Sequence, residues 1–444
     1  MRRIQAVGVC LALVAGARAA TAQDTTRIQQ EGIRVGINYT PGTRPTLAVV
    51  PGTGIDSVRA IVRRDLDFSD RFEMITNLSD PGPASAGGTA AAAPFNYGLY
   101  KALRADLAVE LIDRGGQVTA RLHDVNRSQV RNEINVALPP QSDAGFRMAV
   151  HVLSDMVTGW AVGGNPGIAA TRLLLVLNGR VYQMDSDGFG LRPLTPEGQT
   201  ALSPVWSPDG RRIAYTRLGA GRGGVWVQTL GTGEQVQVAG TETGLNITPM
   251  FSPDGRHIAY ARSDEKGTDI FVANVTERGS AQRLTVGRFA DNLSPTYSPD
   301  GRRIAFISTR SGPPQLYVMG ADGTDQELFA PFDYGATGSS NAPEWSPDGS
   351  QVVFHREVSG TPQVMVLKVA SKQVLQLTSS GRNEDPTWAP DGRHVAFISD
   401  RSGQRQIWVI DSESGRVRQL PTPGRARLPA WSRRLAGAAV LPNP

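Results

Sequence analysis

Ser203-Pro-Val-Trp-Ser-Pro-Asp-Gly-Arg-Arg-Ile-Ala-Tyr215 decides the fold, because the chain repeats it. It returns as Thr248-Pro-Met-Phe-Ser-Pro-Asp-Gly-Arg-His-Ile-Ala-Tyr260 and as Ser294-Pro-Thr-Tyr-Ser-Pro-Asp-Gly-Arg-Arg-Ile-Ala-Phe306. Two more copies run from Ala342 to Phe354 and from Asp385 to Phe397, and a worn sixth, Leu428-Pro-Ala-Trp-Ser432, lacks the Pro-Asp-Gly. The marker aromatics Trp206, Phe251, Tyr297, Trp345, Trp388 and Trp431 are 45, 46, 48, 43 and 43 residues apart. Periods of about 40–50 residues with several short strands each are those of propeller blades.

Each copy reads as four strands. Pro-x-aromatic is strand A, Pro-Asp-Gly supplies a turn, and Ile-Ala-Tyr/Phe is strand B. Strand C follows, as in Asp269 to Ala273, Gln315 to Met319 and Gln406 to Ile410, and strand D ends near Arg283 to Thr285 or Gln376 to Thr378. Ahead of the first copy, Arg172 to Leu177, Arg180 to Met184 and Arg192 to Thr195 read as B, C and D without an A. The orphan A lies at Trp431. Joining them completes a sixth blade and leaves no open sheet edge.

Upstream the rhythm changes. Thr46 to Val50 reads as a strand, and Ile55, Val58, Ile61, Val62 and Leu66 form a helical stripe with Asp56 and Ser57 as cap candidates. Ala105 to Ile112 and Gln117 to Val125 flank a Gly115-Gly116 hairpin signal, and Asn132 to Leu138 adds a strand. Phe146 to Trp160 is a second amphipathic helix. The expected organisation is a signal peptide at 1–22, an α/β domain at 23–165 and a six-bladed, all-β propeller at 166–444.

The signal reading rests on Arg2 and Arg3, the apolar run Val7 to Ala15 and Ala20-Thr21-Ala22, with cleavage after Ala22. Export to an oxidising compartment is expected, and Cys10, the only cysteine, leaves with the signal, so the mature chain has no disulfide. Of the 46 basic residues, Arg2, Arg3 and Arg18 precede Gln23; the remaining 43 against 41 acids give a net charge of only +2. Bulk charge therefore gives no support to a nucleic-acid partner. No later apolar run is long enough to insert in a membrane. A monomer is expected.

The repeat also constrains chemistry. Asp209, Asp254, Asp300, Asp348 and Asp391 occupy equivalent turn positions, which favours structure over catalysis. His257 and His394 share the strand B slot of Arg212 and Arg303, and read as solvated positions. The scattered histidines suggest no metal cluster, and nucleophile-elbow, zincin, P-loop and dinucleotide motifs are lacking. Glu344 is the one charge at a strand A slot otherwise filled by Val205, Met250, Thr296, Thr387 and Ala430. It is either locally paired with an arginine or a channel carboxylate for a cation or a partner lysine. No cofactor is expected; an ion in the channel would be a cation such as calcium. Asn246, Asn292 and Asn383 recur three residues before the strand A proline and either hold backbone or meet a partner.

With these motifs the chain resembles the TolB family, the periplasmic propellers of the Tol–Pal envelope system. The segment Ile33-Arg-Val-Gly-Ile-Asn38, with Arg44-Pro45 and Val49-Val50-Pro51, is similar to the family's N-terminal box. The resemblance implies a non-catalytic scaffold supporting outer-membrane integrity and constriction at cell division. It implies a TolA-like inner-membrane partner reached through Ile33, Arg34, Val35, Ile37 and Asn38. It also implies a Pal-like lipoprotein at the propeller mouth, where the family's contact positions match Leu245, Thr248 and Leu293, with other side chains. The loops entering strand A extend the candidate mouth to Asn246, Asn292, Ser294, Asn341, Asn383, Glu384 and Asp385. An anionic edge at Glu384 and Asp385 would suit a partner with a basic or amide-rich loop. Extra residues before the box and a tail from Leu435 to Pro444 depart from the family pattern. The rival classes are a propeller enzyme, of peptidase or polysaccharide-lyase type, and a glycan-binding propeller.

Overall fold

The computed structural model describes residues 44–435, apart from 53, 77, 79–94, 165, 220–221, 241–243, 278, 287–289 and 331–337. The signal peptide, the Ile33–Asn38 segment and the tail after Leu435 lie outside the described residues.

The first part is a five-stranded sheet with its two long helices on one face and a short helix packed on the other. Its elements are β1 (Thr46–Val49), α1 (Asp56–Phe68), β2 (Glu73–Met74), α2 (Tyr97–Ala102), β3 (Leu107–Asp113), β4 (Gln117–Asp124), β5 (Gln129–Ala137) and α3 (Phe146–Val162). The order is β2-β1-β3-β4-β5, with β1 parallel to both neighbours and β3, β4 and β5 antiparallel. Alternation in β1 and β3 sends Leu47, Val49, Leu107, Val109 and Leu111 to one face. There they meet Val58, Val62 and Leu66 of α1 and Val150, Leu153 and Val157 of α3 in a single core. The Ile55 stripe and the Gly115-Gly116 hairpin thus fall where the sequence places them. The cap differs: Ile55 takes the N-cap position of α1 with no side-chain bond, so neither Asp56 nor Ser57 caps it.

Six four-stranded sheets follow, and the closing blade joins β strands from both ends of the propeller. Arg427–Trp431, as strand A, pairs antiparallel with Arg172–Leu177, which leads to Arg180–Asp185 and Arg192–Pro193. We number this blade 6 and the five full copies, starting at Thr200, Asn246, Asn292, Ser340 and Asn383, blades 1 to 5. The closure is reinforced outside the ladder. Arg172 N–H donates to Ser432 Oγ (2.9 Å), Trp431 Nε1 to Thr171 Oγ1 (2.8 Å), and Arg434 reaches the carbonyls of Pro166 and Gly167. Cores lie between neighbouring blades. One is built from Ile270, Ile304, Phe306 and Tyr317, another from Val353, Val364, Trp388 and Phe397.

The Pro-Asp-Gly turns behave as their repetition demands. Ser298 Oγ donates to Asp300 (2.6 Å), which also accepts the Arg302 N–H (3.1 Å), and Ser346 with Asp348 does the same. In Asp254 and Asp300 the serine hydroxyl, helped by the following backbone N–H, holds the carboxyl below its usual range. Turn geometry uses these aspartates fully.

The α/β domain docks on this turn side. Asp70, just after α1, accepts from Arg416 Nη1 (2.9 Å), Arg418 Nη1 (2.9 Å) and His394 Nε2 (3.2 Å) of blade 5. Asp187, in the C–D connection of blade 6, is held by Arg64 (3.2 Å) and Arg147 of the α/β domain. The opposite side of the propeller, where the D–A and B–C connections gather, is left uncovered by these contacts.

Candidate functional site

Strand A lines the axis of every blade, and in every blade it breaks register just before its proline. At each break one non-glycine residue adopts a left-handed backbone: Ser203, Thr248, Ser294, Ala342, Asp385 and Leu428, all with φ between 49° and 52°. Such a conformation costs about 1–2 kcal/mol at a residue with a Cβ and persists only where surroundings fix it. Bonds between blades do the fixing. Thr248 N–H donates to Thr216 Oγ1 (3.2 Å), Ser294 N–H to Thr248 Oγ1 (3.3 Å), and Asp385 N–H to His355 Nδ1 (3.2 Å). Six bulges therefore form a rigid ring at the open end of the channel.

The expected mouth residues divide into two groups. Leu245 is 39% exposed, and Thr248, Leu293, Ser294, Asn341, Glu384 and Asp385 are half-buried around the ring. Asn246, Asn292 and Asn383 are completely buried, which corrects their placement among surface candidates. Each amide clamps the preceding blade: Asn246 Nδ2 donates to Gly223 O (3.1 Å), Asn292 Nδ2 to Thr268 O (3.2 Å), and Asn383 Nδ2 to Gln363 Oε1 (2.8 Å). Arg310 and Arg401 occupy the carbonyl oxygens of Asn292 and Asn383. These asparagines hold the ring and do not face out of it.

The acidic edge also reads differently in three dimensions. Glu384 is bonded to Arg382 (3.1 Å) and Arg405 (3.1 Å), so its charge is neutralised in place. Burial pushes the Asp385 carboxyl up and the His355 imidazole down, so both favour their uncharged forms. Beside them Arg425 and Arg427 are exposed, and neither forms an ion pair among the described residues. The sequence reading missed these arginines because they precede a copy that has lost its Pro-Asp-Gly.

At the other end of the channel the strand A aromatics and turn prolines enclose a cavity of about 130 Å³, into which Glu344 projects and at whose edge Arg433 lies. Glu344 accepts the Trp388 N–H (3.2 Å), and burial pushes its pKa up to about 7. The expected local arginine pair is replaced by this backbone bond, with Arg433 acting only through its charge.

Among the described residues one group could offer three ligand atoms to a metal: Asp65, His151 and Asp187. His151 Nδ1 is bonded to Asp65 (2.8 Å), its Nε2 lies 4.0 Å from Asp187, and two guanidiniums already hold Asp187. The arrangement suits an ion-pair network better than a cation cage. His394 corrects a second expectation: it is completely buried, between Asp391 (2.7 Å) and Asp70 (3.2 Å), not solvated.

A propeller with a bulged ring at one end and a second domain docked at the other defines a two-domain β-propeller protein. The sequence profile of the family described as "TolB beta propeller domain" matches residues 161–333 and 334–439, and the chain belongs to that family. It is 30% identical to the Tol-Pal system protein TolB of Bordetella parapertussis over 309 residues, 67% of each chain. It is 34% identical to that of Methylococcus capsulatus over 208 residues, 44% of this chain and 47% of the relative. In several such matches the chain spans about half the length of the curated relative. The crystal structure of TolB from Acinetobacter baumannii superposes with a TM-score of 0.74 at 23% identity, covering 89% of this chain and 98% of that one, which supports the fold. The family match is to a Tol–Pal component and not to an enzyme.

Proposed function

We propose that the chain is a non-catalytic periplasmic scaffold, exported by a signal at 1–22, with an α/β domain to about residue 165 and a propeller beyond. The mouth ring binds a Pal-like lipoprotein through Leu245, Thr248, Leu293, Ser294 and Asn341, with Glu384 and Asp385 at its edge. The buried asparagines keep that ring in shape. Ile33, Arg34, Val35, Ile37 and Asn38 reach a TolA-like protein, and the two events together support outer-membrane integrity and constriction. A single observation carries the reading: the α/β domain docks on the turn side of the propeller, leaving the bulged ring uncovered among the described residues.

Changing Leu293 and Thr248 to Arg tests it. Binding of a Pal-like domain, measured by calorimetry, should fall while the melting temperature stays near that of the parent. Full affinity at unchanged stability would displace the site from the ring. Coupling between the two partners, of a typical size of about 1–3 kcal/mol, would appear as a change in TolA-like affinity when the mouth is saturated.

A further inference from the structure

The ring is chemically lopsided. Blades 2 and 3 bring Leu245 and Leu293 to the mouth, the first 39% exposed and the second packed on a core that includes Ile270 and Tyr317. In a closed ring of six, blades 5 and 6 lie directly across from blades 2 and 3. That opposite sector carries Arg382, Arg405, Arg425 and Arg427. Its carboxylates, Glu384, Asp385 and Asp400, do not balance them, and Asp400 is already engaged by the Arg382 N–H (2.9 Å). Glu384 accepts from Arg382 and Arg405 at once. Asp385 is turned inward, with its N–H on His355 and its carboxyl bonded to the Leu428 N–H, and burial raises its pKa. Arg401, the remaining basic neighbour, is stacked on Phe397 and Trp408 and bonded to Asn383, so it does not project outward. The exposed guanidiniums of Arg425 and Arg427 remain as outward charge beside a neutralised Glu384.

We propose that the mouth is polarised and that it seats its partner in one azimuthal orientation. The bound segment of that partner presents carboxylates to Arg425 and Arg427 on blades 5 and 6, and apolar side chains to Leu245 and Leu293 on blades 2 and 3. The proposal rests on the mouth-binding reading above, and it reverses the partner charge that the sequence alone suggests. Two separated contacts of different chemistry fix register in a way that a six-fold symmetric ring cannot. Opposite charge steers the encounter, while apolar burial slows release. An acidic apolar segment docked the other way would place its carboxylates on two leucines and leave the arginines uncompensated, so orientation is selected by the wrong pose as much as by the right one.

The test measures Pal-like domain affinity for the unaltered chain, for the pair Arg425→Glu with Arg427→Glu, and for Arg211→Glu on the turn side, where Arg211 is also exposed. The double reversal should weaken binding by about tenfold or more, mainly through a slower on-rate, and the Arg211 variant should bind as the parent does. Raising salt should weaken the parent's binding and leave a double Arg425→Gln, Arg427→Gln variant nearly unchanged. Both arginines are exposed, so all variants should melt with the parent. Equal affinity of parent and double reversal, or tighter binding by the reversal, would overturn the polarity while leaving mouth binding intact. Loss of binding on Leu293→Arg confirms that the same site is read. No binding by the unaltered chain would overturn the mouth reading and the polarity together.

Discussion

The faces between blades and the seam between the α/β domain and the propeller are both buried, yet opposite chemistry holds them. Between blades 4 and 5 the contact is Val353, Val366, Trp388 and Phe397, at slots that stay apolar in every full copy. At the seam Asp70 meets His394, Arg416 and Arg418, while Asp187 meets Arg64 and Arg147 around His151. Phe68, under Arg418 at 4.7 Å, is one of its few apolar members. Apolar faces tolerate small shifts, since their attraction is non-directional. A buried charge without its partner is costly, so the seam has one good register and few near alternatives.

That contrast predicts different failures of similar size. Asp70→Ala removes the acceptor of two guanidiniums and an imidazole, and should cost about 3–5 kcal/mol. Trp388→Ala should cost a comparable 3–5 kcal/mol by leaving a cavity between blades. The calorimetric traces should differ in shape. Loss of Asp70 should split melting into two transitions as the domains uncouple; loss of Trp388 should lower the propeller's transition alone. A single shifted transition in both would show that the seam is not a separate cooperative boundary.

The contrast also explains what could be read from sequence. Blade count, strand order, the sixth-blade closure and the turn role of the aspartates all follow from repetition, because each copy corroborates the others. The seam has no second copy. It is visible only as departures from the repeat. Blade 5 alone has Ala389 where the others have Ser207, Ser252, Ser298 and Ser346. Without that hydroxyl, Asp391 bonds His394 instead, and His394 is free to reach Asp70. An alanine in a serine slot was thus the available signal. Around the ring, the grouping of the residues entering strand A was legible and their charge was not, since Glu384 also pairs with Arg405, far off in sequence.

Glu344 puts the one acidic side chain on the lining of the channel cavity and so offers a sharper probe. Its folded pKa of about 7 lies above the ordinary value of 4.5. A raised acid pKa means that the folded state keeps a proton the unfolded chain gives up, so stability falls as pH rises from about 4.5 to 7 and stays lower above. Glu344→Gln should therefore be more stable than the parent at pH 8, by up to about 3.5 kcal/mol on the scale of 1.4 kcal/mol per pKa unit. At pH 4 the two should melt alike. A destabilised glutamine variant at pH 8 would mean that the ionised carboxylate is needed, as it would be for a bound cation.

The seam should respond to pH through its histidines, with a smaller change. For His151, burial opposes the charge, but Asp65 and Asp187 outweigh it and raise the pKa. For His394, burial is likewise outweighed, by Asp391 and Asp70, with Arg418 opposing them. Charge balance agrees. Asp70, Asp391, Asp67, Asp411 and Glu413 meet Arg416, Arg418, Arg71 and Arg393, and the proton on His394 completes neutrality. A raised imidazole pKa gives stability that is full below the unfolded value of about 6.5 and is lost as pH rises through the folded one. Domain coupling should hence loosen with rising pH above neutrality, seen as earlier proteolysis near residue 165. His394→Gln should flatten that dependence; an unchanged pH profile in this variant would assign it to His151.

The smallest effect asks whether the repeat is energetically a repeat. Asp254→Ala and Asp300→Ala each remove an acceptor for one serine hydroxyl and one backbone N–H at an exposed turn, and should cost about 1 kcal/mol each. The losses should be similar, because the two turns share residues and geometry. The two turns sit on neighbouring blades, with Pro253 against Gly301, so any departure from additivity in the double variant measures coupling between adjacent turns. Asp391 breaks the series. Its carboxylate faces His394 and Arg71 at the seam, where burial is nearly complete, so Asp391→Ala should cost more and should fall partly on domain coupling. If all three changes cost the same and melting stays cooperative, the seam draws nothing from the altered blade 5 turn. The departure at Ala389 would then be an ordinary substitution within a blade.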